Sequence, residues 1–227
     1  MTLEALAAAA RARGLALRGA FHPGPADGTP PDTGTLILLG PDEPRFWPLF
    51  AASPEAADGV PHPLDRWSKR EIGAIAAAWQ AEALFPSDGP PWPPFLHWAQ
   101  RSGRAFPSPL GLLVHDTAGL LISYRGALAL SQRLPLPEPP KAPCPNCEHQ
   151  PCTTACPVGA LRSGAPYDVA TCQRHLHSDA GAECRDRGCL ARRACPLSQN
   201  LHRQDSQAAF HMAAFVKNWS GKEGGQA

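Results

Sequence analysis

The sequence predicts an α+β protein in two parts: an N-terminal domain of helices packed on a sheet over residues 1–133, and a small cysteine-rich domain over residues 144–219. Three observations predict it. In the first half, short apolar runs bounded by glycines alternate with one long amphipathic stretch, the mixed periodicity of strands and helices. All eight cysteines lie in residues 144–195, so a separate thiol-rich unit follows. Between the two lies LPLPEPPKAPC, a dense patch in a chain of 27 prolines, and proline stiffens a linker while interrupting ladders and helices. Residues 134–143 are therefore read as the domain boundary, and the tail 220–227 as disordered.

Taken in order, residues 2–13 read as a helix, with Thr2 as N-cap, Leu3, Leu6 and a run of alanines inside, and Gly14 as the stop. Residues 15–21 suit a short strand, and 22–34 a turn-rich loop. The run TLILL at 35–39, held between Gly34 and Gly40, reads as a buried strand, with loop onward to about 64. The clearest helix spans 65–84, with Asp65 as N-cap and Ile72, Ile75, Ala76, Trp79 and Ala83 on one stripe, a face for core packing. Residues 95–101 form a short helix carrying His97 and Trp98. Two apolar runs, 110–114 and 120–130, are separated by His115, Asp116, Thr117, Ala118 and Gly119, which reads as a hairpin turn. A final helix over 200–219 has Phe210, Ala213, Ala214 and Phe215 on its apolar side, suited to packing back on the first domain.

A net charge of +1 argues against nucleic acid as the main partner, which usually leaves a strongly basic footprint. The start places Glu4 before the apolar run and Arg11 and Arg13 after it, the reverse of a signal peptide. No stretch approaches the roughly 18 apolar residues of a membrane span. A reducing cytoplasm is the expected compartment. Nucleotide-binding and hydrolase motifs are absent, and no catalytic residue is assigned.

The cysteines fall in two groups of four, Cys144, Cys147, Cys152, Cys156 and Cys172, Cys184, Cys189, Cys195, each closing on Cys-Pro. Two groups of four thiols suggest two four-ligand sites, and a cube of four irons needs one thiolate per iron. In two-cluster ferredoxins the cysteine before proline crosses to the other cluster. On that pattern one cluster takes Cys144, Cys147, Cys152 and Cys195, and the other Cys172, Cys184, Cys189 and Cys156. Structural zinc usually pairs two short CxxC knuckles, and only Cys144 and Cys147 form one. Disulfides suit secreted proteins, and a zinc deaminase needs an upstream His-x-Glu that this chain lacks. Arg162, Arg174, Arg185, Arg187, Arg192 and Arg193 offer positive charge to offset cluster thiolates or form a solvated basic face. His149, His175 and His177 read as supporting groups rather than ligands.

The segment CPNCEHQPCTTACPVGAL, residues 144–161, resembles the four-iron, four-sulfur motif of bacterial ferredoxins and of iron-sulfur subunits of membrane oxidoreductases. The likeness rests on four residues between the second and third cysteines, on Pro151, and on Pro157, Val158, Gly159, Ala160 and Leu161 after the fourth. Spacing in the second group departs from it, with eleven, four and five residues between successive cysteines. The segment SGRAFPSPLGLLVHDTAGLLISYRGALAL, residues 102–130, is similar to the stretch before the cysteine motifs of epoxyqueuosine reductases and, more loosely, of cobalamin-processing proteins. That resemblance implies a nitroreductase-like, corrinoid-binding first domain followed by a dicluster ferredoxin-like domain. It also implies a corrinoid or flavin held near Tyr124, Arg125 and Gly126 and reduced through the clusters.

The sequence thus leads to an iron-sulfur electron-transfer protein with two [4Fe-4S] clusters, a redox partner protein and an optional small-molecule cofactor. A corrinoid-dependent reductase and a zinc-stabilised interaction module stand as alternatives. Cobalamin or flavin would separate the first of these from a simple carrier, and zinc the second.

Overall fold

The computed structural model describes residues 2–219 and holds a mixed α/β chain built on a four-stranded antiparallel sheet with helices. Residues 220–227 lie outside the described residues, and with them the expected disordered tail. Two compact units form. One comprises residues up to 105 together with 123–141; the other comprises 106–122 together with 142 onward.

In the first unit, α1 (Leu3–Ala12) starts where Thr2 accepts a hydrogen bond from the Ala5 N–H, and it buries Leu6 and Ala10. β1 (Leu15–Phe21) follows Gly14, whose positive φ of 72° is available to glycine at no steric cost. β2 (Thr35–Pro41) is buried along its whole length, as its continuous apolar run requires of a central strand. β1 and β2 pair antiparallel with a register shift between Leu17 and Gly19.

Two short helices, α2 (Phe46–Ala51) and α3 (Pro54–Ala57), occupy what the sequence suggested was loop. They are too short for a periodic signal, and tertiary contacts hold them. Phe46 and Phe50 meet Trp67 edge-on with centroids 5.3 and 6.1 Å away, and Glu55 accepts two hydrogen bonds from Arg70 at 2.6 and 2.9 Å.

The long helix is α4 (Pro63–Trp79), not 65–84. Pro63 at the first turn needs no N–H partner, so the helix begins ahead of Asp65, and His62 rather than Asp65 holds the N-cap position. It ends at Gln80, which turns left-handed and bonds back to the Ala76 carbonyl; Ala83 then lies in β3 (Glu82–Leu84). After α5 (Phe95–Arg101) the chain passes into the second unit as β4 (Ala105–Pro107) and β5 (Leu113–His115), which pair as a two-stranded sheet. It returns to the first as β6 (Gly126–Leu130), between β2 and β3 in the order β1-β2-β6-β3.

The expected hairpin over 110–130 is therefore not one hairpin. His115 and Gly119 do exchange backbone hydrogen bonds at 3.0 Å, closing a tight turn, but the apolar runs on either side part into different sheets. Apolar content alone cannot choose a strand's partner.

The rest of the second unit is short helices and loops: α6 (Val169–Leu176), α7 (Ala182–Arg187), α8 (Leu190–Arg193), α9 (Pro196–Gln199) and α10 (Asp205–Lys217). α10 lies on α7, with Gln207 and Ala208 buried and Ala213 and Ala214 exposed. The expected alanine face is thus not the packed one. Small residues set the phase instead: a Cβ built on Gly188 would stand 3.1 Å from the Ala208 Cβ, so two small side chains let the backbones approach.

Candidate metal centre

Local geometry explains how the first loop gathers its thiols. Cys144 opens a 3-10 turn ending at Asn146, and His149 and Gln150 then take successive left-handed conformations at φ 61° and 39°. That reversal lets Pro151 start a second 3-10 turn carrying Cys152. Gln150 fastens the loop: its side-chain amide donates to the Cys144 carbonyl at 3.3 Å, and its own carbonyl accepts from the Thr153 N–H and hydroxyl, both at 2.9 Å. Four residues between Cys147 and Cys152 are what this double turn needs.

All eight cysteines are free thiols. Burial raises the Cys144 thiol first, and then the charges of Cys152, Cys195 and Cys147 raise it further; Cys152 is raised by burial and by Cys195 and Cys147. Cys172 is raised by burial and by Cys189, Cys156 and Cys184, and Cys184 by burial and by Cys189 and Cys156. The thiols whose charges act on one another fall into two sets: Cys144, Cys147, Cys152 and Cys195, and Cys156, Cys172, Cys184 and Cys189. Each set takes the Cys-Pro cysteine from the opposite sequence group.

The surroundings of the sets differ. Cys152 and Cys195 belong to an apolar cluster with Leu110, Val114, Leu120, Leu161 and Ala191. Gly119 closes over the same place, since a Cβ there would stand 3.0 Å from the Cys195 sulfur and 2.6 Å from the Ser198 nitrogen, at a φ of 57°. The second set walls a small cavity of ≈ 20 Å³ with Val158, Leu176 and Met212 among its apolar neighbours. Here two sulfurs accept hydrogen bonds, Cys172 from the Tyr167 hydroxyl and Cys184 from the Leu190 N–H, and both interactions favour the thiolate. Tyr167 went unnoticed in the sequence, and the segment 106–122, read there as part of a hairpin of the first domain, belongs with the thiols. Tyr167 stands five residues before Cys172 with no motif to mark it.

Among the described residues, no three His, Cys, Asp or Glu side chains are placed to share one metal ion.

The arginines near the thiols largely serve the backbone and nearby acids. Arg185 donates to the carbonyls of Leu176 and Ser178, Arg187 pairs with Asp205 at 3.0 Å, and Arg193 with Glu183 at 3.2 Å. His177 donates from Nδ1 to the Gln173 carbonyl, 2.8 Å away, while His149 is exposed beside Glu148.

The three positions expected to hold a corrinoid or flavin sit in the first unit and are engaged in its packing. The Arg125 N–H donates to the Leu39 carbonyl at 2.7 Å and its guanidinium to the Tyr124 carbonyl at 3.1 Å. Gly126 opens β6 with no room above it: a Cβ would meet the Ile72 Cδ1 at 2.8 Å and the Phe85 ring at 3.1 Å. Comparison with family models, curated proteins and solved structures finds no match to this chain.

Proposed function

We propose that the chain is an electron-transfer protein whose second unit, a dicluster ferredoxin-like domain, binds two [4Fe-4S] clusters. One is held by Cys144, Cys147, Cys152 and Cys195, the other by Cys156, Cys172, Cys184 and Cys189. The observation that carries the reading is that eight free thiols lie in one unit, with Cys156, Cys172, Cys184 and Cys189 around one small cavity and Cys152 and Cys195 together in one apolar cluster.

Bound clusters would supply one-electron chemistry, and the chain sets its terms. Leu110, Val114 and Leu120 keep water from the first site and disfavour added negative charge there. Tyr167 and the Leu190 N–H direct hydrogen bonds at sulfurs of the second, which eases reduction. A corrinoid or flavin over residues 124–126 finds less support, because Gly126 is packed against α4 and β3. Electron carriage toward a redox partner protein is therefore the reading favoured over a corrinoid-dependent reductase.

The test is the iron, sulfide, zinc and cobalt content of anaerobically purified protein beside its visible spectrum. About eight irons and eight sulfides per chain are expected from eight thiolates. A colourless protein carrying zinc would replace this reading with a zinc-stabilised module, and stoichiometric cobalt would restore the reductase.

A further inference from the structure

The second unit contains a larger cavity of ≈ 620 Å³. That is the size of a site for a small organic ligand. Its lining divides by chemistry. Leu112, Leu121, Leu161, Tyr167, Met212 and Phe215 supply apolar and aromatic surface, while Arg187, Arg192, Arg193 and Arg203 supply positive charge against the single carboxylate of Asp205. Asp205 is committed to Arg187 at 3.0 Å, Arg193 is paired with Glu183, and Arg203 donates to the Leu121 carbonyl at 2.9 Å. Arg192 makes no hydrogen bond or ion pair with a described residue. A further lining residue, Ser198, is 2 % exposed, and its hydroxyl has no partner among the described residues. A buried polar group without a partner costs free energy unless something supplies one.

We infer that this cavity binds a flat aromatic anion, a ring system bearing a phosphate or sulfonate-like group. The apolar walls with Tyr167 and Phe215 accept the ring face. The guanidinium of Arg192 takes the anionic group, for which its planar fork is suited. The wall also includes Cys172 and Cys189, so a ligand here lies beside the second thiol set. A carrier needs only thiols and cover; a built cavity with a charged end gives it a molecular partner as well. The ring and the anion are met by side chains other than the thiols, so the two readings can fail separately.

The experiment titrates the anaerobically purified full-length protein with flavin mononucleotide and with anthraquinone-2-sulfonate, followed by fluorescence quenching and calorimetry. Riboflavin is the ring without the anion, and inorganic phosphate the anion without the ring. Saturable one-to-one binding of at least one ring anion is expected, with both controls weaker. Arg192→Gln removes a charge-assisted hydrogen bond and should weaken binding roughly tenfold. Phe215→Ala, which leaves every arginine in place, should weaken it also. Melting temperature and iron content identify a variant that fails to fold, in which case the other variant decides. Absence of saturable binding by both ring anions overturns the inference. So does a control that binds as tightly as the ring anions, or a folded variant that binds like the wild type. Iron content is read on the same samples: a chain without iron that still binds leaves this site standing, and one with full iron and no binding loses only this site.

Discussion

In the proposed electron carrier, Tyr167 is the residue that acts most directly on a single sulfur. The side chain is half-buried beside Cys172, so desolvation, its hydrogen bond to that sulfur and the adjoining thiolate push its own ionisation well above the usual tyrosine range. A donor aimed at a ligand sulfur stabilises the extra electron of the reduced state. Tyr167→Phe should therefore lower the midpoint potential of one cluster by a few tens of millivolts while iron content stays the same. An unshifted potential in an electrochemical titration would remove Tyr167 from the tuning groups. A second residue-scale prediction concerns Glu55, whose carboxyl Arg70 and local hydrogen bonds hold down to about 2 against an ordinary 4.5. Because its folded pKa is depressed, its contribution to stability is full above about pH 4.5 and is lost as pH falls toward 2. Thermal melts of wild type and Glu55→Gln should thus converge as pH drops through that window. Curves that stay parallel down to about pH 2 would show that the Arg70 pair adds nothing.

Among the elements, β2 carries the first unit, since β1 and β6 both pair with it and Leu36, Ile37, Leu38 and Leu39 are all 0 % exposed. Leu38→Ala should cost about 2 to 5 kcal/mol, the range for removing a fully buried aliphatic side chain. Denaturant unfolding measures it, and a cost below about 1 kcal/mol would mean that the sheet repacks freely. This strand was legible because its apolar run is continuous and Gly34 precedes it, although it runs on through Gly40 to Pro41 instead of stopping at the glycine. α1, β1 and α5 were legible for similar local reasons, a capping threonine, a glycine stop and a proline-rich lead-in. The errors came where local signals compete. At the start of α4, Pro63 outweighed Asp65 as the starting signal, and at its end a left-handed Gln80 stopped the helix although Ala83 continued the stripe. α10 failed differently: its phase is chosen by Gly188 on another element, which no window of its own sequence contains.

Over the whole molecule, proline-rich composition suggested a cut at 134–143, and chain order suggested that everything before it is one domain. The Cys-Pro spacing suggested two crossed thiol sets because all eight cysteines and both Cys-Pro pairs fall in one short stretch of sequence. Their cover could not be read there, since Leu110, Val114 and Leu120 are ordinary aliphatic residues that join Cys152 and Cys195 only after folding. The compact units consequently interleave, with residues 106–122 belonging with the thiols although residues 123–141 belong with the sheet. A fragment of residues 134–227 contains every cysteine but lacks this segment. It should retain the second set's Tyr167 and Leu190 contacts while its first set stands open to water, because the aliphatic groups beside Cys152 and Cys195 are gone. On anaerobic reconstitution it should keep about four irons, against about eight in the full-length chain. The four that remain should survive mild chelation, and the Tyr167→Phe shift in potential should persist in the fragment. Loading of the fragment to the full-length value with equal resistance to chelation would show that the first site needs no cover from residues 106–122. The boundary drawn from proline content alone would then be the functional one.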